Sequence, residues 1–381
     1  MLPLVGWGLC TGVVLWVVAL YPLWLRFGRF RLSPAVAKQP SFRTSVSVVM
    51  AVYNGAAFLR AKLDSLLAMD HDPALLEILI VSDGSTDATE AIAREYSDRN
   101  VRLFVQPHKG KAAAVNLALQ HATGELLFFT DVRQPMETSA LAELVANFAD
   151  PRVGAATGEL KLLPGDDGEQ ADMGLYWRYE IWARGRQSAI DSLFNTTGCI
   201  YVLRRELAGT LPEDTLSDDA MLPLAAFFAG YRVIFDPTAV AYDYPAIPGT
   251  EFRRRWRNLA GLWQVHVRNP KLFGSANRML WHFLPHKFGR LILPWALLGM
   301  VGFTLALPDA LWRDVLLLGY VTPVALGVLD SWIGRAAGPL KRLSSVCRMF
   351  LLMNVASVAA TAVFFIPAQS LWKPTKVAQK I

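Results

Sequence analysis

The sequence predicts an α/β domain on a mostly parallel, Rossmann-like sheet, set between membrane-spanning helices near its two ends. Three observations predict it. Short β-branched runs alternate with helix-length segments from residue 46 to residue 130. The polar residues of that stretch collect just after its strands, where sheets of this kind bind ligands. Apolar residues make up 53% of the 381 positions and crowd toward the two ends, whereas residues 40–250 have the composition of an ordinary soluble domain.

The first element is residues 2–25, which carry no charge and are long enough to cross a hydrocarbon core of about 30 Å. Arg26, Arg29 and Arg31 follow at once. A signal peptide has its basic residues before the apolar run, so the order predicts an uncleaved anchor over 1–26. Those arginines put the following domain in the cytoplasm, at the inner membrane of the cell.

Residues 46–52 (VSVVMAV) read as a strand closing on Tyr53-Asn54-Gly55. Phe58, Leu59, Leu63, Leu66 and Leu67 recur at helical spacing. A second strand, 77–81, closes on Asp83-Gly84-Ser85. There follow a helix at 87–97, a strand near 101–105, a helix at 111–121 and a strand at 125–130. This alternation predicts right-handed crossovers and a mostly parallel sheet, with polar residues gathered at the carboxyl ends of its strands: Tyr53, Asp83, Lys109, Lys111 and Asp131.

Beyond the domain, residues 250–268 place Phe252, Trp256, Leu259, Ala260, Trp263 and Val267 on one helical face, with arginines around the rest. That pattern predicts an interfacial helix, and 250–287 as an amphipathic region lying on the membrane. Apolar stretches at 288–307, 312–333 and 349–368 predict a membrane region over 288–370, with a tail at 371–381. Arg335, Lys341, Arg342 and Arg348 suit a cytoplasmic loop. Four crossings would leave Lys373, Lys376 and Lys380 outside, against the same rule, so the side of the tail stays open.

The net charge of +6 calls for no nucleic acid, because the basic residues sit beside apolar stretches where lipid headgroups attract them. Cys10, Cys199 and Cys347 show neither metal spacing nor a disulfide framework. A passive channel would leave the soluble domain unexplained.

The runs VSVVMAVYNG, VSDGSTDAT, HKGKAAAVNLAL and FFTDVRQP resemble, in order and spacing, the nucleotide-binding half of family-2 glycosyltransferases with the GT-A fold. GEL at 158–160, YWRYE at 176–180, TTGCIYVLRREL at 196–207 and LSDDAMLPL at 216–224 resemble its acceptor half. The resemblance implies a donor site formed by Ala51, Tyr53, Asp83, Lys109, Lys111, Asp131 and Arg133, with a uridine diphosphate sugar as the donor. It implies that Asp131 binds magnesium or manganese with the diphosphate. The second acid of that metal motif is here Arg133, which cannot ligate a hard cation but suits diphosphate through its donor fork. The expectation is a metal held less tightly than by two acids.

Lys111 opens a helix behind Gly110, where the helix N-terminus adds its own attraction for phosphate. Asp218 and Asp219 are paired acids; the resemblance puts the catalytic base on the second, and repulsion between the two raises a pKa toward a useful range. The same Ser217-Asp218-Asp219 run also reads as a helix cap. Base and leaving group on opposite sides imply inversion. The Gln-x-x-Arg-Trp motif of processive members is only partly matched, by Arg255-Trp256 or by Arg254 and Arg257, so the arginine at the diphosphate stays open among Arg254, Arg255 and Arg257. Trp177 is a candidate for the acceptor face.

These readings lead to a transferase that adds sugar to a lipid-linked or growing glycan for extracellular or capsular polysaccharide, with an export partner or a homo-oligomer if the polymer is secreted. Transfer of a single sugar to polyprenyl phosphate is the alternative. A non-catalytic subunit that binds nucleotide or glycan is the third, supported only by Arg133.

Overall fold

A computed structural model describes residues 1–163, 170–244 and 250–371. They divide into two compact units, 30–163 with 184–244 and 367–371, and 1–29 with 170–183 and 250–366.

The first unit holds a seven-stranded sheet: β1 (Val46–Val52), β2 (Leu76–Asp83), β3 (Val101–Gln106), β4 (Leu126–Phe129), β5 (Val153–Leu162), β6 (Tyr201–Arg204) and β7 (Arg232–Asp243). Their order is β3-β2-β1-β4-β6-β5-β7. The first four run parallel, with Val46 opposite both Leu76 and Leu126. β6 is antiparallel to β4 and to β5, and β7 is parallel to β5. The predicted mostly parallel sheet is therefore present, with one reversed strand that short apolar runs alone do not disclose. β1 is buried almost throughout, as a central strand covered on both faces must be.

The order places a topological switch between β1 and β4. The chain leaves β1 toward β2 on one side and returns to β4 on the other, which opens a crevice at the carboxyl ends of those two strands. Tyr53 follows β1 and Asp131 follows β4. Gly84 has φ +72, and a Cβ there would meet the backbone nitrogen of His108 at 2.7 Å, so only glycine lets the loops after β2 and β3 come this close.

The second unit contains four helices long and apolar enough to cross a membrane: Leu2–Phe27, Leu280–Leu305, Leu311–Trp332 and Pro339–Phe364. Two differ from the sequence expectation. The second starts at Leu280 rather than 288, because Leu280–Phe283 runs on through a wider turn at Leu284–Phe288. The fourth starts at Pro339 rather than 349, so Lys341, Arg342 and Arg348 lie on its first turns. There Asp330 accepts from Lys341, Ser344, Ser345 and Arg348, which fastens the hairpin between the last two spans. The tail lysines at 373, 376 and 380 lie outside the described residues.

The Glu251–Arg268 helix is amphipathic as expected, but part of its apolar face meets protein. Trp256 donates to the Ala359 carbonyl at 2.8 Å, and Trp263 packs edge-on to Phe288 and Phe364. Phe252 and Val267 stay exposed. Glu180 of the YWRYE run is buried against His286, Lys287 and Arg290, a cluster the sequence pattern did not reveal. Trp177 is partly exposed on the Gln170–Ile190 helix.

Candidate active site

The site builds outward from the ends of β1, β2 and β4. Asp83 ends β2 and is 2% exposed. Its Oδ1 accepts from the Gln106 side chain at 2.7 Å and from the Lys109 backbone N–H at 2.9 Å, and its Oδ2 from the Gly110 N–H at 2.9 Å. Asp83 thus shapes the loop ahead of Lys111 rather than only its own turn. Tyr53 covers this corner, with its ring 4.4 Å from that of His108. Ala51 is half-buried in β1 beside Val81. An open groove runs alongside, lined by 108–111 and 213–216.

Gly110, at φ +98, precedes the Lys111–His121 helix, and a Cβ there would meet nothing within 4 Å. The approach to the helix N-terminus is therefore sterically open to an anion, with the Lys109 and Gly110 N–H groups themselves held by Asp83. Lys111 reaches from this start to two acids, Asp131 Oδ1 at 3.1 Å and Asp218 Oδ1 at 3.2 Å. Burial works against its charge, but Asp131, Asp218 and Asp219 hold the ammonium well above its ordinary range. Residues distant in sequence are thus gathered on one lysine.

Asp218 and Asp219 occupy the first turn of the Asp218–Phe228 helix, where acids are favoured by the helix dipole. Ser217 is the cap residue, without a side-chain capping bond. Asp218 is turned to Lys111 instead of capping. The backbone carbonyl of Asp219 accepts from the Thr196 N–H at 2.8 Å and hydroxyl at 2.9 Å. Gly198 lies beside the Asp219 side chain, at 3.4 Å from a Cβ built on it. The Asp219 carboxyl is pushed up to about 7 by burial and then by Asp218, against the opposing pull of Lys111.

Arg133 takes the place of a second metal-motif acid and has a partner that explains it. Its guanidinium grips the buried Asp243 carboxylate at the end of β7, Nε to Oδ1 at 3.1 Å and Nη2 to Oδ2 at 3.2 Å. Gln134 also donates to Asp243. Lys62, buried on the Ala56–Leu67 helix, donates to the Gln134 carbonyl at 2.7 Å and so supports the loop that carries Asp131. Burial pushes its ammonium down to about 8. Lys62, Asp243, Thr196 and Tyr201 escape sequence reasoning; of these, only the TTG turn before a strand offered a signal.

Among the described residues no group of three or more His, Cys, Asp or Glu is placed to hold a metal ion. Asp131, with its side chain 39% exposed, still fits a hard cation that takes its remaining oxygens from phosphate and water. The arginines of the Glu251–Arg268 helix belong to the other unit. There Arg255 bonds Glu251 at 2.6 Å, and Arg254 and Arg257 are partly buried.

The sheet order and the crevice beside β1 and β4 are those of a GT-A fold. Residues 47–211 match the model of glycosyl transferase family 2. Poly-beta-1,6-N-acetyl-D-glucosamine synthase of Staphylococcus aureus (strain COL) is 24% identical over 267 residues, covering 67% of this chain and 61% of the relative. The probable glycosyltransferase YdaM of Bacillus subtilis is 24% identical over 255 residues, covering 60% of this chain and 59% of the relative. The chain thus spans about three fifths of the length of these relatives. Among solved structures, the mannosyltransferase PcManGT from Pyrobaculum calidifontis, in complex with GDP-Man and Mn2+, superposes with a TM-score of 0.72. It is 23% identical, covering 94% of this chain and 96% of that one, and shares the fold.

Proposed function

We propose that this chain is an inverting membrane glycosyltransferase, passing a sugar from a nucleoside-diphosphate donor to a lipid-linked or growing glycan in extracellular or capsular polysaccharide synthesis. The observation that carries the reading is Lys111 joining Asp131 to Asp218, with Asp219 beside them and its carboxyl raised to about 7.

In this reading the donor lies along the groove at 108–111, with its base toward Ala51, Tyr53 and Asp83. Asp219 takes the proton of the attacking acceptor hydroxyl. That oxygen bonds to the anomeric carbon from the face opposite the diphosphate, and the carbon–oxygen bond to the diphosphate breaks with its electron pair. Lys111 and Lys109, at the helix N-terminus, receive the developing charge. Asp131 would hold magnesium or manganese, which supplies positive charge to the leaving diphosphate. Arg133, bound to Asp243, borders this position from the side. Arg254, Arg255, Trp256 and Arg257 are assigned to the acceptor and diphosphate by motif, as is Trp177 to the acceptor. The four apolar helices support a membrane location, with the catalytic domain on the cytoplasmic face of the inner membrane. Membrane lipids surround these helices, and an export partner or a second copy would serve secretion.

The incomplete Gln-x-x-Arg-Trp motif favours a second reading, the loading of one sugar onto polyprenyl phosphate. One experiment separates them: membranes containing the protein are given a panel of labelled nucleotide sugars, with Asp219→Asn as control, and the product is sized. Label in long polymer supports the first reading, and label in a single-sugar lipid the second. No turnover of any donor would sink both.

A further inference from the structure

We propose that Tyr201 is a positioning residue of the transfer site: its buried hydroxyl donates to the free carboxylate oxygen of Asp218 and holds that carboxylate when Lys111 turns to the donor diphosphate. This rests on the roles given above to Lys111 and Asp219.

The ring has no freedom. Tyr201 lies on β6 opposite Phe129 of β4 and stacks on it, with centroids 4.5 Å apart and planes within 6°. It is 0% exposed. A phenylalanine would fill the same place without burying an oxygen, so packing does not account for the hydroxyl. Among the described residues that hydroxyl has no hydrogen-bond partner, and neither has Asp218 Oδ2. Buried donors and acceptors are costly to leave unpaired. Here one of each is unpaired where the Asp218–Phe228 helix packs against β6, beside the strand that leads to Asp131. Burial, then Asp218, Asp219 and Asp131 in that order, hold the phenol well above its ordinary range, so it keeps its proton at any working pH.

Among the described residues Asp218 has one charge partner, Lys111, which it shares with Asp131. A diphosphate entering at Gly110 competes for the same ammonium. Asp218 would then be a buried carboxylate beside Asp219 with nothing to steady its charge, unless a neutral donor takes it. Tyr201 and Asp218 are not bonded while Lys111 holds Asp218; once released, the carboxylate can turn to the phenol or reach it through one water. The other charged or titratable groups facing this neighbourhood are Asp131 after β4, Arg184 on the Gln170–Ile190 helix, Cys199 before β6 and Lys62 beneath the Asp131 loop.

The test is Tyr201→Phe in the full-length membrane protein, measured beside Asp218→Asn, the double variant and Asp219→Asn. Tyr201→Phe should leave the donor-free protein as heat-stable as the parent, since it removes only an unpaired atom. It should lower kcat about tenfold with little change in donor KM, the size of one hydrogen bond to a charged group. The acid limb of the kcat profile should move to higher pH, because the doubly ionised Asp218–Asp219 pair loses a donor. In the Asp218→Asn background Tyr201→Phe should add no loss. Parental kcat and pH profile in Tyr201→Phe, or a full added loss on Asp218→Asn, would overturn the proposal. Asp219→Asn tells the two failures apart: if it retains activity, the underlying site reading fails, whereas an inactive Asp219→Asn with a parental Tyr201→Phe removes Tyr201 alone.

Discussion

Asp219→Asn should destroy activity and stabilise the fold, and both effects follow from one shifted titration. In the folded protein burial and the Asp218 carboxylate raise the Asp219 pKa from 3.8 to about 7. Such a group contributes stability that is fully present below its unfolded pKa and lost as pH rises through the folded one. At one pKa unit per ~1.4 kcal/mol the ceiling is ~4 kcal/mol, and the partial opening of Asp219 to solvent leaves on the order of 1–2 kcal/mol. Asparagine keeps the shape without the charge. The variant should therefore melt several degrees above the parent at pH 8, with the gain fading toward pH 4. Its kcat should fall on the order of 10²- to 10⁴-fold, the usual worth of a general base. For the parent, kcat should decline about tenfold per pH unit below an apparent pKa near 7. Sugar transfer in detergent-solubilised protein and scanning fluorimetry over pH 4–9 give both readouts. A variant less stable than the parent at pH 8, or a parental acid limb below pH 5, would refute the reasoning.

Three further outcomes follow from the same site. Lys111→Met removes the ammonium between Asp131 and Asp218; donor KM should rise at least about tenfold and kcat fall with it, since the buried Asp218 is left uncompensated. Arg133→Asp, which would write the two-acid metal motif back into the sequence, should not rescue metal affinity; facing the buried Asp243 with a like charge, it should destabilise the protein by about 3 kcal/mol, read as a lowered melting temperature. Thorough chelation should abolish transfer, and added manganese or magnesium should restore it, at lower metal concentration when donor is present; full activity after chelation would remove the metal from Asp131.

The parallel half of the sheet was legible because its strands are short, β-branched and each followed by a polar turn. The reversed β6 was not, since a four-residue apolar run carries no direction. In the site, Asp131, Lys111 and the Asp218-Asp219 pair were legible as residue types standing at element ends. Their partners were not. Arg133 and Asp243 are 110 positions apart, and Lys62 looks like a solvated helix residue until the fold buries it under the Asp131 loop. Periodicity locates a side chain on its own element but says nothing of what another element brings to it. The early starts of the second and fourth long apolar helices have the same origin: Glu180 meets His286, Lys287 and Arg290 on the second, and Asp330 meets Lys341 and Arg348 on the fourth.

On the proposed reading, charge matching at the strand ends would let Asp131 serve as the one acid at the metal. Arg133 is bound to Asp243, Lys111 spans Asp131 and Asp218, and Asp219 is partly protonated near neutral pH. A divalent cation arriving alone would have to compete with Lys111 for Asp131 and would bring surplus positive charge. Arriving with a diphosphate, it brings its own counter-charge and oxygen ligands, and the phosphate draws Lys111 off Asp131 as the metal engages it. Metal and donor should then bind as a unit, each tightening the other by the same factor. That coupling, rather than a second carboxylate at position 133, is what would hold the ion during transfer.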